Sequence, residues 1–380
     1  MASLASRVPT VSANPREILQ KVPATNDIHR SQQPDGNLSD SSPRTAPTWH
    51  SSVKGALRRM GVLDLLSRVT IGRRVDIFLY HGLCPGSAPD PLLPKLLPVE
   101  QFEAHIRTYL RYSRPLSLEA ALQTGARGVV VTFDDGYANN YSLALPILQK
   151  YNFPATIFLT TGFLDRAVPL WVDRLEFLVR TAPACDLTFE WRDSSFCLCL
   201  RGFRRRTEAR VRLNEFLRGL PPDAIHDFLG KLENHLQLCY SWETIPELLQ
   251  PLTWDQVRAM RASGLISFGC HTVTHPVLSR CSEQVQVFEI HESKQRIETE
   301  LGEECIGFAY PYGKKSHYTE LTTRLVRKAG FKFALSAEAG SADASLQNRF
   351  EINRWGADLD VNDLSFVVAG GPSVSHYIRS

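Results

Sequence analysis

Four short runs in this 380-residue chain carry side chains able to do chemistry. Asp134 and Asp135 adjoin in Phe133–Asp134–Asp135–Gly136–Tyr137, and His271 and His275 stand four apart in Cys270–His271–Thr272–Val273–Thr274–His275–Pro276. Tyr310–Pro311–Tyr312–Gly313 and Tyr80–His81–Gly82 complete the set. At helical spacing, histidines at i and i+4 share one face about 6 Å apart along the axis, so both imidazoles can converge on one ion. A carboxylate from another segment, Asp135, makes a three-ligand set with positions left for water and substrate. Imidazole and carboxylate suit zinc best, with cobalt, nickel or manganese as alternatives. Thr272 stands where the His-Glu-x-x-His protease motif has its glutamate. The base must then come from elsewhere, and Asp134 is the nearest supplier. Each run alone has a plainer reading: a structural histidine pair, a helix start, a turn, a buried histidine. Their joint placement at strand ends removes it.

The elements that must position these residues alternate strand and helix. Continuous apolar runs at 75–80, 128–133, 155–159, 265–269, 306–310 and 331–335 read as buried strands, and 100–110 and 143–148 as helices between them. This is an α/β pattern: a parallel sheet with helices outside. In barrels of that kind reacting groups gather at the C-terminal strand ends, where all four runs fall.

Residues 1–50, rich in Ser, Pro, Asn, Gln and Thr, are expected to be a disordered leader. Residues 51–74 hold an amphipathic helix with Val53, Leu57, Met60, Leu63, Leu66 and Val69 at helical spacing among arginines. It either packs on the domain or touches anionic lipid as a peripheral membrane contact. The catalytic domain is expected over 75–365, with a helical and hairpin cap inserted at about 166–252 and a tail at 366–380. The hairpin should turn around Asp193–Ser194–Ser195. Beyond it Arg201, Arg204, Arg205, Arg206, Arg210 and Arg212 form either a solvated face or a contact for an acidic glycan or anionic lipid carrier.

A net charge of +3, from 43 basic and 40 acidic residues, argues against nucleic acid as a partner. Eight cysteines without a Cys-x-x-Cys pair read as reduced thiols. The N-terminus lacks a signal-peptide core, and a cytoplasmic protein, membrane-associated through its helix at most, is the expectation. Oligomeric state is not legible.

Together the motifs resemble the polysaccharide deacetylase superfamily. Thr132–Phe133–Asp134–Asp135–Gly136 matches its first motif and His271–Thr272–Val273–Thr274–His275 its second, while Tyr310–Pro311–Tyr312–Gly313 resembles the third. The likeness runs from about Val75 to Arg354. It implies a distorted (β/α) barrel of about seven strands and N-deacetylation of a glycan or lipid-linked sugar. In that scheme Asp135, His271 and His275 bind the metal, Asp134 is the base, and the Tyr312 amide stabilises the oxyanion. Tyr137, Tyr310, Pro311 and Trp355, beside the motif residues, are the expected substrate contacts.

Two departures stand out. The arginine that orients the base in many members is replaced by Ala309, and Arg354 is the candidate substitute. The acid histidine normally follows the third motif, but His317 and His376 lack its setting. His81 fits better, as in a permuted exopolysaccharide-associated subgroup. A deformylase, a small-molecule amidase or a non-catalytic glycan-binding module are the alternatives.

Overall fold

The computed structural model describes residues 48–69, 74–86, 89–124, 127–343 and 348–370. The leader expected at 1–50 therefore lies, up to residue 47, outside the described residues, as does the C-terminal stretch from 371. The strands are β1 (Arg74–Tyr80), β2 (Gly82–Cys84), β3 (Leu96–Pro98), β4 (Gly128–Phe133), β5 (Ala155–Leu159), β6 (Asp186–Trp191), β7 (Ser194–Cys199), β8 (Ile266–Cys270), β9 (Gly307–Ala309), β10 (Phe333–Leu335), β11 (Ala342–Asp343) and β12 (Trp355–Gly356).

Seven of them run parallel, in the order β10-β9-β8-β5-β4-β1-β12, and β11 joins β1 antiparallel. The sheet curls until one late segment touches both ends: Ile352 bridges Leu335 of β10, and Trp355 pairs with Phe78 of β1. This is the distorted (β/α) barrel.

Side-chain alternation explains what faces the mouth. On β1, Val75 and Ile77 are buried inside the barrel with Val130, Phe158, Ala309, Phe333, Leu335 and Ile352. Continuing that face by twos leads through Leu79 to His81, and from Val130 through Thr132 to Asp134. The opposite face, with Phe78, Tyr80, Val131 and Phe133, packs under the helix Val99–Tyr112 through Phe102, Ile106 and Tyr109. Both faces are buried, which is why the strands read as continuous apolar runs. Gly269 makes room in the interior, since a Cβ there would lie 2.5 Å from the Phe158 ring.

The cap inserts between β5 and β8. It contains the helix Trp171–Thr181, the β6–β7 hairpin, and the helices Gly202–Arg218 and Pro222–Leu236. Its own aromatic core joins Phe189, Trp191, Phe196, Phe216 and Phe228. The hairpin turns earlier than expected, at Arg192–Asp193, because Trp191 pairs with Ser194 and Arg192 takes the left-handed conformation.

Two boundaries differ from expectation. The amphipathic segment is two helices, Thr48–Arg59 and Val62–Val69, broken at Gly61 with φ 71°. Leu57, Leu63 and Leu66 pack on the domain, while Val53 and Met60 are exposed. The helix Val361–Val368 runs through the expected tail boundary at 365/366, held by buried Leu364, Val367 and Val368 against the helices Val99–Tyr112 and Thr48–Arg59. All eight cysteines are unpaired. Among the described residues no helix is long and apolar enough to cross a membrane.

Candidate active site

Asp134 and Asp135 follow β4, His271 follows β8, Tyr312 follows β9 and His81 follows β1, so adjacent parallel strands deliver them to one end of the barrel. A cavity of about 290 Å³ there is lined by His81, Asp134, Asp135, His271, His275, Tyr310, Tyr312, His317 and Arg354.

The histidine pair is not helical. Residues 271–277 form a loop in which Thr272 and His275 both take positive φ, 69° and 58°. The expected helical face is corrected accordingly: two left-handed residues, not a 3.6-residue period, bring the imidazoles together, with ring centroids 4.9 Å apart. What holds this strained loop is Glu289, a buried carboxylate the motifs did not signal. It accepts the amides of Val273 and Thr274 at 2.8 and 2.9 Å and the Thr274 hydroxyl at 2.5 Å.

Asp135, His271 and His275 each offer one ligand atom, and these atoms lie within 4.8 Å of one another. The Nδ1–H of His271 donates to the Ala309 carbonyl at 2.7 Å, which fixes the tautomer and leaves Nε2 a lone-pair donor. Asp135 Oδ1 is buried without a hydrogen-bond partner, 3.4 Å from His275 Nε2 and 3.7 Å from His271 Nε2. A buried carboxylate oxygen left without a hydrogen bond beside two imidazole nitrogens is matched by a cation. The residues fit a metal ion. Burial lowers the His275 pKa to about 3, against the opposing pull of Asp135, so the ring is held as a neutral ligand.

Arg354 meets Asp134 end-on, as a two-point fork. Its two terminal nitrogens donate to Oδ1 and Oδ2, each at 2.8 Å, and its Nε donates to the Ser336 carbonyl. Burial pushes the Asp134 carboxyl up, but the Arg354 guanidinium together with the neighbouring histidines holds the group below the usual carboxylate value. Ala309, which lacks the expected arginine side chain, serves the site through its backbone carbonyl instead.

The remaining candidates divide. Tyr312 takes φ 60°, and its amide donates to no protein acceptor among the described residues. His81 is half-buried in the cavity wall, its pKa lowered by burial against the pull of Asp135 and Asp134. His317 also lines the cavity, and His376 lies outside the described residues. Of the expected substrate contacts only Tyr310 lines the cavity. Tyr137 is fully buried beneath it, donating to Asp173 and accepting from Lys95, and Trp355 is 2% exposed with Nε1 on Asp76. Pro311 is buried in the turn. These three support the site from behind.

The motifs also left out the cap's share of the cavity: Val172, Glu176, Arg210, Asn214 and Arg218, with Lys95 opposite. Lys95 pairs with Asp173 and stands 3.9 Å from Glu176, whose pKa burial raises to about 7 despite that lysine. The four-residue spacing of Arg210, Asn214 and Arg218 was the available signal. The other arginines of that run face elsewhere: Arg204 and Arg205 pair with Glu208, and Arg206 donates to carbonyls ending the helix Trp171–Thr181.

Among known proteins, residues 121–334 match the family model described as polysaccharide deacetylase. YxkH of Bacillus subtilis (strain 168), provisionally named a polysaccharide deacetylase, is 22% identical over 289 residues, 74% of this chain and 70% of that protein. The Streptococcus pyogenes deacetylase PplD in complex with acetate is 20% identical, covering 77% of this chain and 96% of that one, with TM-score 0.49. IcaB from Ammonifex degensii is 18% identical over 78% of this chain and 97% of its own, with TM-score 0.48. The family match takes in both aspartates, both histidines and Tyr312, and leaves His81 and Arg354 outside its limits. The chain belongs to the polysaccharide deacetylase family, and its enzyme class is that of the carbohydrate N-deacetylases, hydrolases of carbon–nitrogen bonds.

Proposed function

We propose that the chain hydrolyses the N-acetyl group of a polysaccharide or lipid-linked amino sugar, with a divalent metal, zinc by its donor set, held by Asp135, His271 and His275. The observation that carries this reading is the two-point, end-on pairing of Asp134 with Arg354 beside three converging ligand atoms. When bound, the metal supplies Lewis acidity toward the attacking water and the acyl carbonyl.

The chain's own residues do the rest. Asp134, kept ionised by Arg354, takes the proton of the attacking water. Its Oδ2 lies 3.8 Å from His271 Nε2, beside the ligand cluster. The free Tyr312 amide donates to the oxyanion formed as the carbonyl is attacked. His81 gives a proton to the departing sugar nitrogen; burial makes its imidazolium a stronger acid and so a readier donor. The carbon–nitrogen bond breaks, releasing acetate and a free amine. Placing the acid on β1, ahead of the first motif, is the order of the permuted exopolysaccharide-associated subgroup.

The test is acetate release from N-acetylglucosamine oligomers by apo and zinc-loaded protein. Zinc-dependent release that disappears in Asp134→Asn is expected. Formate release from an N-formylated sugar without acetate release would transfer the site to the deformylase reading.

A further inference from the structure

One wall of the cavity is built from groups that deacetylation does not use. The helix Gly202–Arg218 turns Arg210, Asn214 and Arg218, at successive four-residue steps, to a single face, and all three line the cavity that holds the aspartates and histidines. Arg210 Nε, Asn214 Oδ1 and Arg218 Nε are each buried without a hydrogen-bond partner. Buried polar atoms are almost always paired, so three orphans converging on one wall mark the place of a ligand.

The charges there do not cancel. Lys95 pairs with Asp173, and Glu176 stands 3.9 Å from both Lys95 and Arg210, which is only 8% exposed. Arg218 is the surplus cation, with no ion-pair partner among the described residues. Its guanidinium lies 5.1 Å from the Tyr312 ring centroid, and that ring lies 4.7 Å from the His275 ring. One aromatic side chain therefore separates a free guanidinium from a candidate metal ligand. A neutral sugar satisfies hydroxyl-matching groups such as Asn214 and Tyr312, but leaves this charge unmet.

We propose that the cap wall is an anion subsite: the N-acylated sugar carries or adjoins an oxyanion, phosphate or carboxylate, received by Arg218 with Arg210. The proposal rests on the deacetylase reading for the reacting end of the substrate. Guanidinium pairs both oxyanions in the same bidentate way, so the two sources share one chemistry and are separated by experiment.

Two measurements keep this inference distinct from the reading it rests on. Zinc-loaded Asp134→Asn protein is titrated calorimetrically with N-acetylglucosamine 1-phosphate, an N-acetylglucosamine–glucuronate disaccharide and neutral N,N′-diacetylchitobiose. At least one anionic ligand is expected to bind about tenfold or more tighter than the neutral one, in line with a charge-assisted pair. Adding Arg218→Gln should remove most of that ratio, while Arg218→Lys, which keeps the charge and spares the fold, should retain part of it. The same ratio should appear in kcat/KM for acetate release by the zinc enzyme. The arm showing the Arg218-dependent preference names the source, a glycosyl phosphate or an acidic chain. Equal affinity for charged and neutral ligands, or parallel losses on both in Arg218→Gln, overturns the proposal. Anion preference in Asp134→Asn without acetate release from any substrate by the zinc enzyme upholds the subsite and sinks the deacetylase reading.

Discussion

Arg354 grips both oxygens of Asp134 at 2.8 Å, although the two residues are 220 positions apart and neither is more than 2% exposed. Breaking such a pair from one side leaves an unpaired buried charge. Arg354→Met should therefore lower unfolding free energy by about 3 kcal/mol and raise the Asp134 pKa. Arg354→Lys, which keeps charge but loses the fork, should lose less stability yet still lower kcat. Urea denaturation alongside turnover separates the two effects; unchanged kcat in both variants would show that the pair is only structural.

Asp134 is not among the clustered ligand atoms, so removing its charge should spare the metal. Asp134→Asn is expected to bind zinc stoichiometrically while acetate release drops by about 10²–10⁴-fold. Metal analysis after gel filtration makes the check. Loss of zinc in this variant would move Asp134 from base to ligand.

For His81 the expectation is a similar separation. His81→Ala should abolish turnover with bound zinc near the parent level, since the acid acts on the leaving nitrogen. If zinc is lost instead, His81 is a ligand; if turnover survives, His317, also in the cavity wall, becomes the acid to test.

Glu289 contributes through the loop it holds. Its three accepted hydrogen bonds fix the left-handed turn that delivers His275, and Gln in its place presents a donor where an acceptor is needed. Glu289→Gln should weaken zinc binding about 10–100-fold, as removal of supporting groups behind metal ligands does. Competition with a chelator measures it, and unchanged affinity would mean the turn holds itself.

A pH effect follows from His105, fully buried with Nδ1 on the Tyr80 hydroxyl and Nε2 unpaired. Burial lowers its pKa from 6.5 to about 4. The unfolded chain therefore takes up the proton first, and stability present above about pH 6.5 is lost as pH falls toward 4. Between pH 7 and 4.5 the loss should be roughly 2–3 kcal/mol smaller in His105→Gln than in the parent. Equal losses in urea titrations would exclude the histidine as the source.

How far the sequence was readable depends on whether the cause was local. β1, β4 and β5 announce themselves as apolar runs because both faces of each strand are buried, and period-two alternation then carries the eye to His81 and Asp134. The His271–His275 spacing pointed to convergence but to the wrong backbone. A separation of four is shared by a helix and by a loop with two left-handed residues, and the deciding partner, Glu289, comes from the helix Glu283–Leu301. Tyr137 and Trp355 sit beside motif residues in sequence, yet alternation and burial turn them away from the cavity. Arg218 was missed because its place in the cavity wall arises only when the cap docks over the barrel, a contact no local pattern records.

The segment from Ile352 to Gly356 joins the two ends of the curled sheet and also carries Arg354. During synthesis, then, a nascent chain can carry both aspartates and both histidines while still lacking Arg354, the partner of Asp134. On the proposed reading, competence waits on the last staves of the barrel, and the paired carboxylate is completed only when the sheet itself is closed.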